Sequence, residues 1–208
     1  MYYHGLDSVT AFVQAGGKSS RMGQDKAFLQ MGGCTLLAHA LQLAEAATGS
    51  VRIVGSAAKF AGPVPVVEDL YPGQGPLAGI HAALTASLTD LNLIIAVDMP
   101  FLQPVFLNYL LEQARGSAAE VVVPRTTGGW QPLCAVYRRE FAAVAEQSLR
   151  AGRNKIDSVF AEVPTRVIEP EELEQNGFTE DMFRNLNTEQ DWQAAKQKLS
   201  GVDQSIYD

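Results

Sequence analysis

Short apolar, β-branched runs alternate along the chain with stretches whose apolar residues recur every three or four positions. The first pattern predicts strands at 9–14, 51–54, 64–68, 91–97, 120–123, 133–137 and 165–168. The second predicts helices at 35–47, 77–88, 104–114, 140–151 and 188–199. Residues 93–97 carry no polar side chain, as a parallel strand buried on both faces requires. Alternating β and α elements predict an α/β fold of three layers, a mostly parallel sheet with helices on both faces. Pro104 suits the first turn of a helix, and Thr188 with Asp191 resembles a capping box opening the last one. No stretch reads as a linker, so residues 1–200 are expected to form one domain and 201–208 a polar tail.

Hydrophobic residues make up 47% of the 208 positions and charged residues 19%, which supplies a core and excludes an intrinsically disordered chain. No apolar run is longer than the five residues of 93–97, far short of the ~20 residues that span a bilayer. The first ten residues show neither a basic segment nor an apolar one, so a signal peptide is not expected and the cytoplasm is. Cys34 and Cys134 lack metal-site spacing and read as two buried thiols in a reducing compartment. A net charge of -7 argues against nucleic-acid and membrane-surface partners, which need a basic face.

In an open α/β sheet the ligand crevice lies at the carboxyl ends of the strands. The polar stretches there are 15–26, Gly55, 68–79 and 98–101. Ala15, Gly16 and Gly17 let the backbone approach a ligand and turn N–H groups toward an anion. Lys18, Arg21 and Lys26 face only Asp25 as a counter-charge, a cationic patch inside an acidic protein. The pattern fits a phosphate loop, or more plainly a solvated basic turn. It is not a Walker A motif, because Phe12 stands where the first glycine would have to be. Asp98 ends the most apolar strand; such a carboxylate can hold Mg²⁺ against phosphate oxygens or simply cap the next turn. His4, His39 and His81 share no metal-ligand spacing.

The run A-G-G-x-S-S-R-M-G-x-D-K at 15–26 resembles the signature of the nucleotidyltransferases that build molybdenum cofactor dinucleotides. Glu68-Asp69, Gly75-Pro-Leu-Ala-Gly79, Asp98-Met-Pro-Phe101, Gln131-Pro-Leu-Cys-Ala-Val-Tyr137, Gly152 to Ile156 and Asn185-Leu-Asn-Thr188 follow in the family's order. Ala-Gly-Gly and Gly-Pro-Leu-Ala-Gly are similar to the guanylyltransferase branch rather than the cytidylyltransferase one. The resemblance implies a Rossmann-like, nucleotide-diphospho-sugar transferase-like sheet and transfer of GMP from GTP to the phosphate of molybdopterin. It implies nucleotide binding by Gln14, Ala15, Gly16, Gly17, Lys26, Asp69, Gly79 and Asp98, with Mg²⁺ on Asp98. Catalytic roles fall on Arg21, Lys26 and Asp98.

For the pterin substrate the resemblance implies Gln131, Lys155, Asn185 and Asn187. The two asparagines alternate along an extended segment, and their amides offer donors and acceptors suited to a pterin edge. GTP and molybdopterin are the expected partners of a monomer, with room for transient contacts to proteins that deliver or accept the cofactor. Two positions depart from the family pattern. Gln14 replaces a leucine, and Gly55 stands where some members carry an asparagine that touches the nucleotide. Alternatives are cytidylyl or sugar-phosphate transfer, a nucleotide-binding regulator without turnover, and a NAD-binding dehydrogenase. The last rests on G-x-G-x-x-A at Gly73–Ala78 with Asp98 about twenty residues on.

Overall fold

A computed structural model describes residues 9–16, 25–31 and 33–200, with side chains to residue 197. From the amino end come β1 (Val9–Gln14), β2 (Gln30–Met31), β3 (Cys34–Thr35), α1 (Leu36–Thr48), β4 (Val51–Val54), β5 (Val66–Val67) and α2 (Pro76–Ala86). Then follow β6 (Leu91–Ala96), α3 (Pro104–Arg115), β7 (Val121–Thr126), β8 (Gly129–Trp130) and β9 (Cys134–Arg138). The chain continues through α4 (Phe141–Arg150), α5 (Ile156–Phe160), β10 (Thr165–Ile168), α6 (Pro170–Gln175) and α7 (Glu189–Ser200).

Apolar residues on alternate sides of each strand build the layers. In β1, Val9, Ala11 and Val13 face one core while Phe12 faces the other. In β6, Leu91, Leu93 and Ile95 join the first core and Ile94 the second. Helices α1 and α3 cover the first face through Leu36, Ala40, Leu43, Phe106, Leu107 and Leu110. Helices α2, α4 and α5 cover the second through Leu77, Ile80, Leu84, Phe141, Leu149 and Phe160. The three expected layers are present.

The strand order is β10-β7-β9-β6-β1-β4-β5, with β8 paired to β7. Strand β1 runs parallel to both neighbours, and Gln14 stands level with Val54 on one side and Ala96 on the other. Strand β9 is an exception within the mostly parallel sheet: it lies antiparallel between β6 and β7. The crossover through α3 leaves a one-strand slot, and residues 127–133 are too few for a parallel return, which needs about a dozen. The hairpin therefore brings the chain back in the opposite direction. The order also excludes the dinucleotide-binding alternative. After the glycines and α2 the chain enters β6, which is separated from β5 by β4 and β1.

Thr188 and Asp191 form the expected capping box: Thr188 Oγ1 accepts from Asp191 N at 3.1 Å, and Asp191 Oδ2 accepts from Thr188 N at 2.9 Å. Cys134 is buried but Cys34, on the short β3 strand, is only half-buried, contrary to expectation; both are free thiols. No helix among the described residues is long and apolar enough to cross a membrane.

Candidate functional site

Strand order reverses direction at β1, so the carboxyl ends of β1, β4 and β6 open a crevice. Ala15 N donates to Val54 O at 3.0 Å, and Val97 N donates to Gln14 O at 3.0 Å. Residues 15, 55 and 98 therefore leave the sheet side by side. Asp98 is held further by its carbonyl, which accepts from Leu186 N at 3.0 Å. That bond lays the segment before α7 across the end of β6.

Three distant stretches converge there. Lys26 Nζ lies 2.9 Å from Asp98 Oδ2 and 2.9 Å from Asn187 Oδ1. Lys26 opens a 3₁₀ turn capped by Asp25, whose Oδ1 accepts from Ala27 N at 3.1 Å. Asn187 is anchored from behind, its N–H donating to Asp191 Oδ2 at 3.1 Å. The Lys26 and Asp98 side chains are 18% and 19% exposed. Partial burial strengthens their attraction while a ligand can still reach both.

At the same edge of the sheet lies a cavity of about 670 Å³, within the range of small-molecule sites, although Lys26, Asp98 and Asn187 are not among its lining residues. Gln14, Gly16, Asp69, Gly75, Pro76 and Gly79 line it, and Leu133 of the β8–β9 connection contributes its far wall. The first turn of α2 opens at this wall, so its backbone N–H groups and the positive end of its dipole favour an anion there. Asp69 turns one oxygen onto its own loop, Oδ1 accepting from Tyr71 N at 2.8 Å. Tyr71 in turn donates its hydroxyl to Glu146 Oε1 at 3.1 Å, fastening that loop to α4.

Gln14 contributes more than backbone. Its Nε2 donates to Pro76 O at 3.1 Å and fills the space in front of Gly79. A Cβ at residue 79 would stand 2.1 Å from that nitrogen. Gly79 is thus a gap for the Gln14 side chain. At Gly55 a Cβ would lie 2.7 Å from Phe60 Cε2, so the phenyl ring occupies the room that a side chain at 55 would use.

The remaining expected residues are less concentrated. Gly17 and Arg21 lie outside the described residues. Gln131 donates to Thr126 Oγ1 at 3.1 Å and to Gly129 O at 3.4 Å, so its amide serves the β7–β8 hairpin. Lys155 is exposed at the N-cap of α5, and no hydrogen bond or ion pair joins it to the Lys26 cluster. Asn185 keeps its Oδ1 buried without a hydrogen-bond partner. The two asparagines are therefore not equivalent, since only Asn187 meets Lys26.

Two contributors escaped the sequence reading. His39, on α1, bonds through Nε2 to Pro100 O at 3.1 Å and steadies the turn after Asp98. A carbonyl only accepts, so this nitrogen carries the proton; burial holds the ring's pKa below its ordinary value, outweighing the opposite pull of that bond. Lys59, in the loop after β4, pairs with Asp25 and lies 3.5 Å from Ala15 O. Its signal was a lone lysine in a carboxyl-end loop, where only Gly55 had drawn attention.

Comparison with known proteins places these features in context. Residues 11–167 match the model of the MobA-like NTP transferase domain. A probable molybdenum cofactor guanylyltransferase of Carboxydothermus hydrogenoformans is 33% identical over 90% of this chain and 95% of its own. One from Pelotomaculum thermopropionicum is 36% identical over 88% and 89%. Among solved structures, molybdopterin-guanine dinucleotide biosynthesis protein A from Archaeoglobus fulgidus superposes with a TM-score of 0.80 at 24% identity, covering 93% of this chain and 100% of that one. A CMP:2-keto-3-deoxy-manno-octonic acid synthetase reaches 0.68 at 13%, over 93% and 99%. At those identities the structural matches speak to the shared fold.

Proposed function

We infer the activity from one premise: this chain belongs to the MobA-like NTP transferase family. It acts as a molybdenum cofactor guanylyltransferase, moving GMP from GTP to the terminal phosphate of molybdopterin, with or without its molybdenum. The observation that carries the reading is the meeting of Lys26, Asp98 and Asn187 at the sheet edge that also holds the cavity at the amino end of α2.

The acceptor phosphate attacks the α-phosphorus of GTP in line. One P–O bond forms, the bond to the β-phosphate oxygen breaks, and pyrophosphate leaves with the electron pair. The attacking oxygen is already anionic, so no side chain need remove a proton. The barrier is the approach of two polyanions, which positioning and preorganised charge lower. Lys26 sets its ammonium against the developing phosphate charge. The N–H of Gly16 holds the nucleotide and Ala15 lets it approach the backbone, its own N–H being bonded to Val54 O, with Gln14, Asp69 and Gly79 shaping the pocket. Arg21 and Gly17 are assigned to the same phosphates, and Gln131, Lys155, Asn185 and Asn187 to the pterin.

Asp98 fits a divalent cation. No three carboxylate, histidine or cysteine side chains gather into a cage among the described residues. Mg²⁺ needs no such cage, since one or two carboxylates suffice when substrate phosphates and water complete its shell. When bound, Mg²⁺ supplies positive charge to the triphosphate.

The test supplies Mg²⁺ and molybdopterin with GTP, CTP or ATP and measures pyrophosphate and dinucleotide. GTP is expected to be preferred by about a hundredfold or more, because hydrogen-bonded discrimination between bases reaches that size. Equal use of CTP, or no pyrophosphate with any nucleotide, overturns the reading.

A further inference from the structure

Lys59 leaves the loop after β4 and touches two points that are far apart along the chain. Its ammonium pairs with Asp25 Oδ2 and lies 3.5 Å from Ala15 O. Ala15 is where the chain leaves β1, and Asp25 is where it re-enters the described structure ahead of Lys26. One cation from a third segment therefore spans both ends of the phosphate loop.

Asp25 is bonded through both oxygens. Oδ2 meets Lys59, while Oδ1 accepts from Ala27 N at 3.1 Å and caps the turn that Lys26 begins. A carboxylate held at both ends has its direction set, and the adjoining residue inherits that direction. Lys26 then reaches Asp98 and Asn187, each at 2.9 Å.

The position of Lys59 is itself constrained. Its ammonium stands 4.5 Å from the Phe60 ring centre and 5.9 Å from that of Phe28, a cation–π arrangement. Phe60 packs into the space left open at Gly55. The absence of a side chain at 55 and the placing of a lysine at 59 are parts of one device.

We propose that Lys59 is a positioning residue for the nucleotide site: by bridging Ala15 and Asp25 it fixes Lys26 where a nucleoside triphosphate is held. This rests on the nucleotidyltransferase reading above. A half-exposed ion pair adds little to global stability, so the contribution belongs in nucleotide affinity rather than in folding.

The experiment uses the full chain and titrates GTP with Mg²⁺ by calorimetry, alongside steady-state kinetics with molybdopterin and a thermal melt. Lys59→Ala is expected to raise the Kd and KM for GTP about tenfold, as small displacements of a binding group do. The KM for molybdopterin and the melting temperature should stay within error, and Lys59→Arg should recover most of the affinity. Asp25→Asn should weaken GTP binding as Lys59→Ala does, and the double variant should be no weaker than either alone.

Unchanged GTP affinity in Lys59→Ala overturns the proposal, as do equal losses for both substrates. Tighter binding by Asp25→Asn overturns it too, because that result would make Lys59 a direct phosphate ligand released from its partner. If the unaltered protein neither binds nor uses GTP, the assigned reaction is at fault. If it uses GTP normally and Lys59→Ala matches it, only the role of Lys59 falls.

Discussion

Along the carboxyl edge of the sheet, the half built on β1, β4 and β6 gathers polar residues from separated stretches. The half built on β9, β7 and β10 keeps its polar residues occupied with one another. In the first, Lys26 meets partners 72 and 161 residues away. In the second, Gln131 bonds within its own hairpin, and Arg125 grips Glu169 through two bonds of 2.8 Å. Nearby, Tyr109 donates to Glu172 at 2.6 Å, and Arg166 meets the same carboxylate at 2.5 Å. The Arg166 bond draws the Glu172 pKa below its ordinary value, while burial first and Glu172 second push the Tyr109 hydroxyl up to about 12. Charge is prearranged for a ligand in one half and spent on joining α3, β10 and α6 in the other. On the site assignment proposed above, the electrostatic preorganisation that accelerates phosphoryl transfer is concentrated on the nucleotide side.

Removing that charge is the strongest way to break the contrast. Lys26→Ala and Asp98→Ala should each lower kcat by on the order of 10² or more in steady-state assays. Lys155→Ala, in the opposite half, should change only the KM for the pterin; an equal fall in its kcat would erase the distinction.

A smaller effect is expected from geometry alone. Gly79→Ala puts a carbon 2.1 Å from Gln14 Nε2 and 2.8 Å from its Cδ. Gln14 must swing aside and lose Pro76, at a cost of about 1–3 kcal/mol in denaturant unfolding. Adding Gln14→Ala should restore most of that stability. A Gly79→Ala protein as stable as the original would mean that this wall is slack.

The smallest effect lies on α2, where His81 packs against the loop that carries Asp69. His81 is 4% exposed, its Nδ1 has no hydrogen-bond partner, and its ring meets Tyr71 edge-on at 5.3 Å. Burial holds its pKa below the ordinary 6.5, although Glu146 and Asp69 pull it upward and Arg150 pushes it further down. The folded chain thus takes up a proton less readily than the unfolded one. Stability is fully present above pH 6.5 and declines as the pH falls toward the lowered folded value. Unfolding midpoints measured from pH 7.5 to 5 should fall less steeply in His81→Leu. Some decline should persist, because His39 is shifted in the same direction.

Much of this was legible in the chain because it is local. The long strands and helices announce themselves by period, and Gln14, Asp69 and Asp98 stand where polar residues follow apolar runs. The two-residue strands β2, β3 and β8 and the short helices α5 and α6 are too brief to show a period. The direction of β9 was written in the length of the link before it rather than in its own residues. Lys59 stayed hidden because its meaning depends on Asp25 and Ala15, 34 and 44 residues upstream, brought near only by the pairing of β1 with β4. Gln14 could be placed, but its side chain could not be aimed, since Gly79 makes its space from across the crevice.

The bond from Leu186 N to Asp98 O has a consequence in time as well as in space. Synthesis proceeds from the amino end, so every strand of the sheet has been made before Asn187 leaves the ribosome. A nascent chain can thus possess all its β-structure while Lys26 still lacks Asn187. Competence arrives with the final stitch, and a polypeptide released shortly before it would resemble the finished protein in outline yet carry an unfinished centre.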